Sequence, residues 1–305
     1  MAQAANTFDS FDADNANRED LGNIIYDISP TETPFVSAIG KTRATNKYHE
    51  WLQDSLAAPD PNNANVFGDD APAAEALTSR TRLGNYVQLL DKVIIVSDDQ
   101  RRSDPAGLQD ELAYQLAKKM KEIKRDLEAI LLGQTIGAQA PTAGSSSSAP
   151  KMGNVPHFIT THVDANGGVA RAFAENQLKG MLQQVWEAGG EPSMVLLSAF
   201  QQSQAEGFSG SATKYIDSQD KEIVTAVDIY TTSFGSVTFV PTRFIAADRV
   251  YVIDPQYWAI AQFDALRTRP LARTGHAEKR MLSWYVTLEA REEAANGQIV
   301  DLTTS

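Results

Sequence analysis

The chain has 305 residues and a formal net charge of −12, with 27 basic against 39 acidic side chains, so its surface as a whole is unsuited to gripping nucleic acid. It contains no cysteine, which excludes disulfides, thiol catalysis and thiolate metal sites. At 42% hydrophobic and 22% charged, the composition fits one large or two smaller globular domains, and no apolar run approaches the length that crosses a membrane.

The first 20 residues, MAQAANTFDSFDADNANRED, carry five acids against one Arg and no hydrophobic run. They predict an acidic arm with no secretory or membrane address. From Leu21 the character changes, and in DISPTETPFVSAIGKT the pair Thr33-Pro34 reads as an N-cap and first helical residue. A short helix over about 34 to 39, anchored by Phe35 and closed by Gly40, is expected.

KYHEWLQDSL sets Tyr48, Glu50 and Leu52 against His49, Trp51 and Gln53, the alternation of a strand. RTRLGNYVQLLDKVIIVSDD is a second extended run, and more than twenty residues rich in Ala, Pro, Asn and Asp separate the two. Residues 47 to 96 therefore predict a long hairpin arm. Such a ribbon is marginal in water by itself and needs another surface to lie on.

After Asp104-Pro105, apolar residues recur at spacings of three and four: Leu108, Leu112, Leu116, Met120, Ile123, Leu127, Ile130 and Leu131. They predict a helix from about 105 to 132 that ends at Gly133, roughly 40 Å long at 1.5 Å per residue. Its other face carries Lys118, Lys119, Lys121, Lys124 and Arg125. GQTIGAQAPTAGSSSSAPKMGN reads as a flexible linker or surface loop. Beyond it the pattern is mixed: a helix in ENQLKGMLQQVWEAGG stopped by Gly189, a buried strand in PSMVLLS and a short helix in AFQQSQAEGF. Strands follow in IVTAVDIYTTSFGSVTFVPTRFI, RVYVIDPQYWAIAQFD and MLSWYVTLEAR.

Motifs for chemistry fail on their own requirements. Gly40-Lys41-Thr42 ends like a phosphate loop, but the glycine needed five positions before Gly40 is Phe35. GFSGS resembles a hydrolase elbow around Ser209, yet the second glycine is replaced by Ser211. His49, His157, His162 and His276 lack the spacing of a zinc helix, and Asp98-Asp99 lies beside Arg101 and Arg102. No catalytic, cofactor or metal residue is assigned.

Charge is more informative. Residues 267 to 280, RTRPLARTGHAEKR, hold five bases and one acid, whereas the first forty residues hold seven acids and Arg18 alone. Residues 55 to 76 contain Asp60, Asp69, Asp70 and Glu75 and no base. These blocks are either separate solvated surfaces or complementary faces of neighbouring copies. Phe35, Trp51, Asp69, Asp70, Arg267, Arg269 and Arg273 are the candidate intersubunit contacts.

DISPTETPFVSAIGK followed by YHEW, with an arm, a long hairpin, a long helix and a mixed α/β remainder in that order, resembles the major capsid proteins of tailed double-stranded DNA bacteriophages. The resemblance covers residues 21 to 135 most specifically and is architectural beyond them. It implies the α+β Hong Kong ninety-seven-type capsid fold. The parts would be an N-terminal arm at 1–45, an extended loop at 46–100, and a peripheral domain at 101–169 with a spine helix at 105–132. An axial domain at 170–265 and a C-terminal return at 266–305 would complete it. It also implies hexamers and pentamers that close an icosahedral shell around the genome, without enzymatic activity. The expected partners are copies of itself, scaffolding and portal proteins, cement proteins, and packaged DNA contacted without sequence specificity, with no membrane. Assembly would take place in the cytoplasm of a bacterial host. Another virion part, tail or decoration, is the alternative, and a serine hydrolase using Ser209 a remote one. Some relatives lock their shells by a lysine-to-asparagine bond from the extended loop, but no Lys lies between Lys47 and Lys92, which argues against that chemistry here. No scaffold-like helical segment is expected ahead of the arm.

Overall fold

The computed structural model describes residues 32–64, 66–68, 70, 77, 79–103, 110–208, 229–273 and 275–304. The expected acidic arm up to residue 31, Asp69, the helix start at Asp104-Pro105 and Ser209 lie outside the described residues.

In chain order, the described N-terminal half contains α1 (Pro34–Ala38), β1 (Gly40–Arg43), β2 (Tyr48–Gln53), β3 (Thr81–Tyr86), β4 (Gln88–Ser97), α2 (Asp98–Arg102) and α3 (Glu111–Leu132). The middle contributes α4 (Val155–Phe158), β5 (Val163–Asp164), α5 (Glu175–Glu187), β6 (Met194–Leu197) and α6 (Ala199–Glu206). The remainder is β7 (Ile229–Thr232), β8 (Gly235–Pro241), β9 (Val250–Ile253), β10 (Trp258–Pro270), β11 (Ala277–Ala290) and β12 (Gly297–Ile299).

Three sheets result. One has the order β1-β10-β11-β4, one β5-β12-β9-β6-β8-β7, and the third is the β2-β3 ribbon alone. The long helix α3 lies on the first sheet. Ile123, Leu127 and Leu131 fall on one helical face by their spacing of four, and they meet Leu282, Trp284, Val286 and Leu288, the alternate residues of β11. The central strands β6 and β9 of the six-stranded sheet are buried on both faces, which explains why they read as unbroken apolar runs, whereas β7 and β8 at one edge keep an exposed face. Val195, Leu197, Val250 and Val252 point toward α5 and its Leu178, Met181, Leu182 and Val185. Leu196, Tyr251 and Ile253 point the other way, into the core under α3. The Tyr251 hydroxyl donates to the Leu132 carbonyl at 3.0 Å, closing one of the free carbonyls at the end of α3.

Four expectations change. The long helix begins at Glu111, where the Asp110 side chain accepts from the Leu112 amide at 3.0 Å, and its 22 residues span roughly 33 Å. Its stop at Gly133 is as expected: φ is 66°, and an added Cβ would come within 2.6 Å of the Gly137 carbonyl oxygen. Gly40 does not close α1. It opens β1, whose residues pair in parallel with Ala259 to Gln262, so Gly40-Lys41-Thr42 is a strand. The second extended run divides at Val87 into β3, in the ribbon, and β4, an edge strand of the first sheet. RVYVIDPQYWAIAQFD likewise divides at Pro255, capped by Asp254, into β9 and β10 of different sheets. The serine-rich stretch is a surface loop whose ends are tied down. Thr142 pairs with Lys151, and Asn154 donates to the Ile130 and Gly137 carbonyls at 3.3 and 2.7 Å.

Candidate assembly surfaces

Helix α1 is too short to persist alone, and it is held by Glu128 of α3. The two carboxylate oxygens of Glu128 accept from the Phe35 and Val36 amides at 2.9 and 2.8 Å, the task expected of Thr33, whose side chain makes no capping bond. Glu128 is fully buried; burial pushes its pKa up to about 7, against the pull of those two amides. Phe35 is 0% exposed and meets Trp258 edge-on, with ring centroids 6.0 Å apart. As a candidate intersubunit contact Phe35 is therefore corrected: its whole surface is spent on the core of its own subunit. Nothing in the N-terminal sequence marks Glu128. Its only signal is an acid set beside Leu127, Leu131 and Leu132 on the apolar face of a helix.

The ribbon is anchored at its root. Glu289 on β11 receives the Thr42 hydroxyl at 2.8 Å and the Arg291 guanidinium at 3.0 Å, and His49 Nε2 lies 3.2 Å from it. Burial alone would raise the Glu289 carboxyl, but these three hydrogen bonds outweigh it and hold the pKa below the usual value. Gln53 donates to Glu292 at 2.6 Å. Asn85, fully buried, donates to the Gly153 and Leu288 carbonyls at 3.2 and 2.8 Å and accepts from the Gly153 amide at 2.7 Å. Trp51 packs on the core beside Phe158, at 6.0 Å between ring centroids, so most of this side chain serves the attachment of the ribbon to its own subunit.

Past Gln53 the described apolar residues of the loop are uncovered. Leu56, Val66, Phe67 and Leu77 are all exposed, Phe67 completely so, and Asp70 is exposed beside them. Four large apolar side chains left in water within one loop are candidates for a contact surface.

Arg267, Arg269 and Arg273 lie at the far end of the β10–β11 pair, about half exposed. None is a free charge. Arg267 and Arg269 both pair with Asp264, the latter at 3.3 Å, and Arg273 reaches Asp98 at 3.0 Å and Glu278 at 3.8 Å. Glu278 also meets Arg101 and Arg280. On α3, Lys119 pairs with Glu122, and Arg125 lies 5.7 Å over the Phe244 ring, but Lys118, Lys121 and Lys124 are exposed and without an ion pair among the described residues. Among the described residues no three His, Asp or Glu side chains gather as metal ligands.

This architecture is shared with viral shells. A chain from Microbacterium phage Oxtober96 superposes with a TM-score of 0.67 at 12% identity, covering 96% of this chain and 98% of that one. A chain from Gordonia phage Cozz does so at 0.65 and 10% identity, covering 99% and 98%. The holo-SrpI encapsulin complex from Synechococcus elongatus PCC 7942 gives 0.59 at 12% identity, covering 98% and 97%. The fold is the Hong Kong ninety-seven-type capsid fold. In sequence, the major capsid protein of Escherichia phage Phieco32 is 29% identical over 95% of each chain. The model of the family described as SU10 major capsid protein matches residues 3–303, nearly the full length, and the chain belongs to that family.

Proposed function

We propose that this chain is the repeating subunit of a phage head, assembling with copies of itself into hexamers and pentamers that close an icosahedral shell around double-stranded DNA. The observation that carries this reading beyond family membership is the ribbon: fixed to its own subunit at Glu289, Asn85 and Gln53, then bare and apolar at its tip. A shell offers each tip a neighbouring surface. In this reading the six-stranded sheet with α5 and α6 forms the axial part, which departs from the expected 170–265: β5 and β12 lie outside that span, and residues 258–265 belong to β10 of the first sheet. The first sheet with α3 forms the peripheral part, which the chain re-enters at Trp258. The role is structural, without catalysis.

Partners follow from the same reading. Scaffolding and portal proteins guide closure in the host cytoplasm, and cement proteins add strength that cross-linking through a loop lysine does not supply. Lys118, Lys121 and Lys124 offer DNA three unpaired charges along one line of α3, a contact blind to sequence and sensitive to salt. The acidic arms are placed across Arg267, Arg269 and Arg273 of a neighbour. Electron microscopy of the expressed chain, alone and with a co-expressed scaffold, tests the reading. Closed shells are expected. Tubes, trimers or monodisperse monomers under every condition would overturn it.

A further inference from the structure

Near the root of the ribbon lies a cavity of about 590 Å³ lined by the aromatic and aliphatic side chains of Tyr48, Tyr86, Leu89, Phe263 and Tyr285, by the serine-rich loop at 143–146, and by Lys47. Its walls are built by local irregularities. Gly84 lets the Tyr48 ring lie flat across β3, since a Cβ there would come within 2.6 Å of the ring. The β10–β11 ladder slips register between Gln262 and Asp264, and the bulge re-aims Phe263, which stays half-exposed. Tyr48, Leu89 and Phe263 thus leave a large apolar surface open to solvent.

We propose that this cavity receives Phe67, with Val66 beside it, from the ribbon tip of a second copy. The inference rests on the shell reading and deepens it by naming key and lock. Three observations select this occupant. Phe67 is fully exposed, so it does not occupy its own subunit's cavity, and the two lie at opposite ends of one ribbon whose paired part alone spans roughly 20 Å. Charge is complementary: Glu50 and Asp54 are taken by Arg82 and Arg80, but from Ser55 to Ser79 the chain carries four more acids and no Lys or Arg, with Asp69-Asp70 directly after Phe67-Gly68. Lys47 in the lining has no ion pair among the described residues. The chemistry also matches, because an aromatic side chain entering an aromatic-walled site gains both apolar burial and edge or offset ring contacts.

The absence of native cysteine makes the test direct. Val66→Cys and Ser146→Cys, the latter in the cavity wall, are introduced together into the full chain, and the assembled particles are oxidised. Docking brings the two within disulfide reach and yields an intersubunit ladder on a denaturing, non-reducing gel that neither single variant gives. Normal particles in which the double variant cross-links no more than the singles would overturn the proposal. Phe67→Asp, a change at a fully exposed side chain, should raise the concentration needed for assembly by about tenfold or more, while Phe67→Leu stays within about threefold. Assembly of Phe67→Asp at the wild-type concentration would also refute it. Failure of the unmodified chain to form particles at all, with or without scaffold, is a different result, and it removes the shell reading itself.

Discussion

Glu128 makes subunit stability depend on pH in an unusual direction. Its pKa is about 7 in the folded chain against 4.5 for an ordinary glutamate. Between those values the folded state holds a proton that the unfolded state has released. The stability this group contributes is therefore complete below about pH 4.5 and is lost as pH rises through 7. The gap between 4.5 and about 7 corresponds to about 3 kcal/mol at roughly 1.4 kcal/mol per pH unit. Glu128→Gln removes the titration while keeping one acceptor for the Phe35 and Val36 amides, leaving the other amide facing an NH₂ group at a cost of about 1–3 kcal/mol. The variant should accordingly be less stable than wild type at pH 5 and close to it, or above it, at pH 8.5. Urea unfolding of unassembled subunits, followed by tryptophan fluorescence at several pH values, measures the difference. Taking variant minus wild type cancels groups titrating in both. Parallel stability curves from pH 5 to 8.5 would refute the reasoning, since they would mean that Glu128 is not desolvated as its burial requires.

Asn85→Ala removes three buried hydrogen bonds and leaves two carbonyls and one amide unpaired, so it should cost about 2–4 kcal/mol. Hydrogen exchange is expected to quicken in β2 and β3 before it does in α3. Reversing Arg269 and Arg273 together to Glu breaks pairs whose arginines are half-exposed and sets new acids beside the mostly buried Asp264, Asp98 and Glu278, so it should cost no more than about 1–2 kcal/mol per site and leave the subunit folded. Particle yield should nevertheless fall, and normal particles from that variant would dispose of the arm contact. Replacing Lys118, Lys121 and Lys124 with Gln should reduce the slope of log affinity against log salt for random duplex by up to about 0.9 per lysine lost. An unchanged slope would place the genome contact elsewhere.

How much of this was legible in the chain depends on the range of the interaction involved. Helices α3 and α5 are written in their own spacing, and the alternation in YHEWLQ is the exposed-and-inward alternation of β2. The break at Val87 is not marked by glycine or proline. It is made by the Val87 amide, which donates to the Lys47 carbonyl at 2.9 Å, and by β11 drawing β4 into another sheet. Gly40-Lys41-Thr42 becomes a strand because Ala259 to Ala261, far along the chain, lie beside it. The charge blocks show the same limit. A window from 267 to 280 counts five bases and one acid, yet Asp264 and Asp98, just outside it or distant in sequence, already hold three of those arginines.

That pairing constrains how copies can hold together. An acidic arm reaching Arg269 has to displace Asp264, which exchanges one exposed ion pair for another and nets less than about 1 kcal/mol. Such exchange fixes register and rejects misplaced neighbours, but it adds little strength. Strength has to come from apolar surface with no cover inside the subunit. Phe35, which sequence alone made a candidate, is removed from that account because it is fully buried. Leu56, Val66, Phe67 and Leu77 remain. Cohesion and register are thus assigned to different groups, the apolar side chains of the ribbon tip and the arginines of the β10–β11 pair, so strengthening one should not make up for loss of the other.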